Sequence, residues 1–148
     1  MFLSDDMKDL LRIFNRRNVS YAICGGFAVA KHGFVRMTLD LDLLIDPSTE
    51  NAEKVLAALV EFGFGSAGIE LHHLTAPSTA ITLGAQPNQI DLLTKMSSAS
   101  TREVLGNAES TDLDGIPVRV VSKSDLLQAK REANRPKDRI DLEELSSE

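Results

Sequence analysis

The sequence predicts a single domain of the mixed α/β (α+β) class. Three observations carry that expectation. The chain has 148 residues, enough for one real core and too few for a second large one. Apolar residues make up 43% and charged residues 26%, ordinary values for a folded globular protein, which excludes disorder along the whole chain. About five or six strand-like segments lie among helical ones, with helices before, between and after them.

The elements follow in order. Ser4 to Asn18 reads as an amphipathic helix, because Met7, Leu10, Leu11 and Phe14 recur at helical spacing and Asp5 and Asp6 suit its positive end. Ser20 to Cys24 is rich in strand formers. Gly25-Gly26 follows as a turn, and Phe27 onward reads as a short helix ending at Gly33. Leu39 to Ile45 is the clearest strand, with Leu39, Leu41 and Leu43 alternating with Asp40 and Asp42. Pro47 stops it, and Ser48 caps a helix to about Phe62. Gly63 to Gly68 holds three glycines and reads as a turn. Ile69 to Thr75, Thr79 to Leu83 and Gln89 to Leu93 read as strands, with a turn at Gln86-Pro87-Asn88. A helix is expected around Thr101 to Leu105. Asp114-Gly115 has hairpin-turn chemistry between TDL and IPVRVV. Ser122 to Asp125 has capping-box spacing before a helix of about Asp125 to Ala133. Asn134-Arg135-Pro136 breaks it, and a last helix spans about Lys137 to Leu145.

Composition narrows the function classes. Cys24 is the one cysteine, so no disulfide framework exists, and it reads as a packed core thiol. His32, His72 and His73 show no zinc-ligand spacing. The start, MFLSDDMKDL, lacks a basic region followed by an apolar stretch, so no signal peptide and a cytoplasmic location are expected. No apolar run approaches the roughly 20 residues of a membrane span. The net charge of −6 is unevenly placed: residues 1–36 carry +3, residues 37–116 carry −9, and residues 117–148 are neutral. Broad nucleic-acid binding is not expected from that balance, though a local basic patch is compatible with it.

Two aspartates stand out within the acidic stretch. Strand alternation puts Asp40 and Asp42 on one face, opposite Leu39, Leu41 and Leu43. Paired carboxylates persist when solvated, protonated or bridged by cations. Mg²⁺ prefers oxygen ligands and takes one or two carboxylates from protein. The spacing itself is common: Asp112/Asp114 and Asp141/Glu143 share it, the first pair at a turn and the second on a helix where residues two apart do not face each other. A solvated surface is therefore the competing reading. Context favours a site. Gly25-Gly26 between a strand and a helix presents backbone N–H groups where phosphate binds readily, although a plain tight connection would look the same. Asp91 lies within an apolar strand, where an acid calls for a cationic partner or an edge position.

Gly-Gly, thirteen residues, Asp-apolar-Asp-apolar and a later apolar-Asp-apolar together resemble the nucleotidyltransferase superfamily typified by DNA polymerase beta. Ile23-Cys24-Gly25-Gly26-Phe27-Ala28 and the run His32 to Leu44 resemble more closely the compact bacterial and archaeal group related to the abortive-infection toxin AbiEii. Gly115 to Ser122, Asp125-Leu126, Lys130, Arg135-Pro136-Lys137-Asp138 and Asp141 are similar to that group's C-terminal pattern, so the resemblance covers roughly residues 20–145.

The resemblance implies a mixed twisted sheet with helices packed on one side and a short C-terminal helical tail. One minimal domain over 1–148 would then comprise an N-terminal helix (about 1–18), a catalytic core (19–121) and C-terminal helices (122–148). It implies that Gly25 and Gly26 cradle a nucleoside triphosphate. Asp40 and Asp42 would hold two Mg²⁺ ions, or Mn²⁺ in their place, and Asp91 would ligate the catalytic ion and help deprotonate the incoming hydroxyl. Arg36 and Thr38, just before the acid pair, and Lys130, Arg135 and Lys137 in the tail are candidates to meet the phosphates. Their competing reading is a solvated surface, with Asp138 pairing with Arg135 or Lys137 to fix the end of the domain. The implied activity is transfer of a nucleoside monophosphate to a hydroxyl of RNA (a tRNA end), a protein side chain or a small molecule such as an antibiotic. The AbiEii likeness adds a toxin–antitoxin or defence role with a cognate antitoxin or toxin partner. Nothing resembles a substantial acceptor-binding domain, which keeps a second reading open: a nucleotide- or partner-binding module without turnover.

Overall fold

The computed structural model describes residues 3–65 and 67–146. Ser66, inside the expected Gly63–Gly68 turn, and residues 1–2 and 147–148 of the terminal segments lie outside the described residues. Helix α1 spans Asp5–Arg16. Ser4 Oγ accepts the Met7 N–H at its start, and Met7, Leu10, Leu11 and Phe14 form its buried face, as their spacing requires. Strand β1 is Tyr21–Cys24 and is buried throughout. Helix α2 is Gly25–Lys31, so the two glycines form its first turn rather than a separate connection.

Strand β2 is Leu41–Ile45. Pairing begins one residue after Asp40, at the bond from Leu41 N–H to the Gln89 carbonyl, because the exposed Leu39 has no strand beside it. The expected strand over Leu39 to Ile45 is therefore shorter by two residues. Helix α3 is Thr49–Phe62, capped by Ser48 Oγ at the start.

The expected strand at Ile69 to Thr75 is instead a short helix, α4, at Leu71–Thr75. Glu70 and His73 cap each other reciprocally, and the Glu70 N–H donates to His73 Nδ1 at 2.9 Å. Leu74 is buried beneath it. Those capping bonds outweigh the strand propensity of the segment.

Strands β3 (Ala80–Leu83) and β4 (Ile90–Leu93), helix α5 (Thr101–Asn107), strands β5 (Glu109–Leu113) and β6 (Ile116–Val120), and helices α6 (Lys123–Ala133) and α7 (Pro136–Ser146) follow. Asp114 and Gly115 both have positive φ, 53° and 84°, as a type I′ hairpin turn requires. Pro136 opens α7 at the position where a missing N–H costs nothing.

The six strands form one mixed sheet in the order β3-β4-β2-β1-β6-β5. β2 is parallel to β4 and β1 to β6, while β1–β2, β3–β4 and β5–β6 are antiparallel. Ile23, Leu43 and Leu92 lie in one cross-strand row and are fully buried. They join Met7, Leu11 and Phe14 of α1 and Val55 and Leu59 of α3 in one core. α2 packs on β1 and β2, and α6 packs on both α2 and α7. The C-terminal helices thus border the ends of the two central strands. No helix among the described residues is long and apolar enough to cross a membrane.

Candidate active site

Strand register builds the site. Cys24 stands opposite Asp42, Asp42 beside Asp91, and Asp91 opposite Thr82, so these four residues form a single row across β1, β2, β4 and β3. Residues paired in this way project to the same face. The row places two carboxylates next to each other. Burial, then a hydrogen bond with Asp91 and the negative charges of Asp91 and Asp40, push Asp42 up to about 7, against the opposing charge of Lys137. Burial also raises the Cys24 thiol, which stays an inert core group beside the pair.

The start of α2 is shaped to accept Asp42. Gly25 has φ +64°, and a β-carbon there would lie 2.8 Å from Asp42 Cγ. A β-carbon on Gly26 would lie 2.5 Å from Thr38 Oγ1. Glycine at both positions lets the carboxylate and the threonine lie against the main chain. Asp40, just outside the strand, accepts from Gln86 Nε2 at 3.2 Å. Asp91 accepts from Thr82 Oγ1 at 2.8 Å and from Gln89 Nε2 at 3.1 and 3.2 Å. These three neutral donors were not singled out from the sequence. Gln89 was within reach of sequence reasoning, since it lies two residues before Asp91 and shares its face. Thr82 and Gln86 needed the β3–β4 pairing.

All ten sequence-predicted site residues line one cleft of about 440 Å³: Gly25, Gly26, Arg36, Thr38, Asp40, Asp42, Asp91, Lys130, Arg135 and Lys137. The basic residues are not equivalent. Lys130 is buried and ion-paired to Asp138 (3.3 Å) and Asp141 (3.0 Å). Arg135 Nε donates to Asp138 at 2.6 Å, and the Arg135 N–H donates to the same carboxylate at 3.0 Å, closing the first turn of α7. Arg36 makes a two-pronged bond to Asp141, Nε at 2.8 Å and Nη2 at 2.9 Å. Burial alone would raise Asp138, but the bonds from Arg135 and Lys130 hold it down at about 2. Asp141 is lowered as well, its burial outweighed by Arg36 and Lys130. The expected pairing of Asp138 is therefore with Arg135, and part of the cleft's positive charge is neutralised from behind by two buried aspartates. Lys137 is exposed and has no ion pair among the described residues.

The donor set is suited to a divalent cation bound mainly by a carboxylate pair. Among the described residues, no three acidic, histidine or cysteine side chains form a ready-made cage for an ion. Asp42 and Asp91 are the touching pair, while Asp40 bonds to Gln86. Mg²⁺ commonly takes one or two carboxylates and completes its shell with water and substrate phosphates, so an open carboxylate pair in a cleft fits it better than a closed cage.

No family model matches the chain, and no curated protein matches it. Solved structures do. Over 99% of both chains it is similar to the lincosamide antibiotic adenylyltransferase LnuA in its lincomycin-bound form, with a TM-score of 0.64 and 19% identity. A putative nucleotidyltransferase of Thermotoga maritima, TM1012, matches 95% of this chain and 89% of its own, with a TM-score of 0.65 and 15% identity. The antibiotic-resistance factor ANT(2'')-Ia matches 96% of this chain and 81% of its own, with a TM-score of 0.60 and 14% identity. At these identities the likeness is one of fold, and the fold is the one these nucleotidyltransferases share.

Proposed function

We propose that the chain is a nucleotidyltransferase that moves a nucleoside monophosphate from a nucleoside triphosphate to a hydroxyl: the hydroxyl oxygen bonds the α-phosphorus, the bond to the β-phosphate breaks, and pyrophosphate leaves. The observation that carries this reading is the in-register Asp42–Asp91 pair, with Asp40 beside it, packed against a glycine helix start in a cleft edged by cations. Asp40, Asp42 and Asp91 would hold two Mg²⁺ ions, or Mn²⁺ in their place. Bound there, the metal neutralises charge on the transferring phosphoryl group. The chain's own residues do the rest. Gly25 and Gly26 bring backbone N–H groups to the phosphates. Thr38 and Lys137 meet the triphosphate at the cleft edge, and Arg36, Lys130 and Arg135 set positive potential behind it. Asp91 would ligate the catalytic ion and help deprotonate the incoming hydroxyl, and the bonds from Gln89 and Thr82 orient its carboxylate. Such a transfer depends on positioning and charge neutralisation more than on covalent participation of protein.

A small hydroxylated molecule is the favoured acceptor. The cleft is open and modest, and neighbours of the same fold act on antibiotics, LnuA by name on lincosamides. RNA and protein hydroxyls are the other acceptor classes. The test is transfer of label from α-labelled triphosphates, with Mg²⁺, to a panel of lincosamides, aminoglycosides, tRNA and cell extract. Transfer by the wild type that disappears in Asp40→Ala/Asp42→Ala supports the reading. Equal transfer by that double variant overturns it. Triphosphate binding with no product from any acceptor would favour the binding module without turnover. The AbiEii likeness motivates a toxin–antitoxin setting, which an adjacent antitoxin gene would support.

A further inference from the structure

The segment from Phe34 to Asp40 delivers Arg36, Thr38 and Asp40 to the cleft, yet little main-chain structure holds it. Phe34 N–H bonds the Val29 carbonyl before it, and Leu41 N–H bonds the Gln89 carbonyl after it. Between them, the N–H groups of residues 35–40 make no backbone hydrogen bond to a described residue. Side chains alternate along the segment. Phe34, Arg36, Thr38 and Asp40 are half-buried, whereas Val35, Met37 and Leu39 are 71%, 84% and 43% exposed. The segment is therefore attached to the body through its even-numbered side chains. The strongest of those attachments is at Arg36, whose guanidinium is held at two nitrogens by Asp141.

Asp141 is itself firmly placed. It is 1% exposed, and its other bond, to Lys130 at 3.0 Å, ties it to α6. Asp138 adds a second tie to the same lysine and closes the first turn of α7. A continuous path of ion pairs therefore runs from Lys130 of α6 through the buried Asp141 to the half-buried Arg36, four residues before Asp40.

We propose that Asp141 is a positioning residue for the nucleotide site: through Arg36 it fixes the segment that presents Thr38 and Asp40 beside Asp42 and Asp91. Asp141 contacts neither the phosphates nor the metal. Its role is to remove the freedom that an otherwise unpaired segment would have, so that Asp40 is in reach when a cation binds. This rests on the metal-site reading of the three cleft aspartates given above.

The test uses the full chain and Mn²⁺ alone, with bound and free ion distinguished by the electron paramagnetic resonance signal. Asp141→Asn keeps the shape and removes the charge. Arg36→Lys keeps the charge and removes the two-pronged bond. Leu59→Ala, a core change in α3, controls for lost stability. With folding confirmed by circular dichroism, the Mn²⁺ dissociation constant is expected to rise about tenfold in Asp141→Asn, the scale of outer-shell changes at metal sites. It is expected to rise severalfold in Arg36→Lys and to stay at the wild-type value in Leu59→Ala. Wild-type Mn²⁺ affinity in both folded Asp141→Asn and Arg36→Lys overturns the positioning role while leaving the metal site intact. Absence of Mn²⁺ binding by the wild type overturns the metal reading and this inference together. Where Asp141→Asn does not fold, Arg36→Lys decides.

Discussion

Asp42 on β2 and Asp91 on β4 are direct register partners on neighbouring parallel strands, so the fold holds two like charges side by side. Burial first, and then the hydrogen bond and charge of Asp91, make Asp42 take up a proton more readily, pushing it up to about 7 from an ordinary value of 3.8. Between those values the folded chain keeps a proton that the unfolded chain has released. Stability contributed by that proton is complete below about pH 4 and is lost as pH rises toward 7. In chelator, the melting temperature should therefore fall across this window, at a rate worth at most about 1.4 kcal/mol per pH unit. Asp42→Asn should flatten the slope and melt higher than the wild type at pH 7.5. Asp138, held at about 2, acts below this window: its contribution is lost as pH falls from 3.8 through 2. Thermal melts from pH 4 to 8 check the sign, and a wild-type slope equal to that of Asp42→Asn would contradict it.

A divalent cation should reverse the same penalty. Mg²⁺ or Mn²⁺ binds deprotonated carboxylates, so the rise in melting temperature on adding it should be larger at pH 7.5 than at pH 5.5. Asp91→Asn should abolish most of it. Differential scanning fluorimetry at the two pH values is sufficient.

Gly25 should not tolerate a side chain. Gly25→Ala places a β-carbon against the Asp42 carboxylate and forces alanine into a left-handed conformation, φ +64°. Gly115→Ala meets no atom within 4 Å and bears only the conformational cost at φ +84°. That cost is about 1–2 kcal/mol. Both variants should lose stability in urea titrations. Only Gly25→Ala should also lose its response to divalent cations.

The two lysines of the cleft should separate cleanly. Lys137 is exposed, so Lys137→Ala should change stability by less than about 0.5 kcal/mol. It should raise the KM for the triphosphate about tenfold, near the worth of one charge-assisted hydrogen bond. Lys130 is buried between Asp138 and Asp141, and Lys130→Ala should cost about 3–5 kcal/mol by leaving both unpaired on that side. Denaturant melts and initial-rate kinetics distinguish the two effects.

Much of this arrangement was legible in the sequence because its signals are local. Period-two alternation fixed the shared face of Asp40 and Asp42, and a strand running into Gly25-Gly26 marked a helix start. Ser48 and Ser122 announce helices that they cap, whereas the first helix is signalled by its apolar spacing and Asp5 and Asp6. The helix at Leu71–Thr75 reads as a strand because five residues carry little periodicity; the Glu70–His73 exchange and the burial of Leu74 favour the helix instead. The division of labour among the basic residues was not legible either. Arg36 and Asp141 are 105 residues apart, and only the folded chain shows that the arginine's two best donors are already taken. Lys130 likewise reads as a surface lysine until α7 packs over it. Spacing identified which residues gather at the cleft. Packing decided which of them remain free to meet a ligand.

The most direct measurement is calorimetric titration of the protein with a non-hydrolysable α,β-methylene triphosphate, with and without Mn²⁺, for the wild type and Asp42→Ala. Binding that requires Mn²⁺ and is lost in a folded Asp42→Ala is the expected result. Wild-type affinity in that variant, or no binding by the wild type with Mn²⁺ present, would contradict the assignment of the Asp42–Asp91 pair as the metal-binding centre of a nucleotide site.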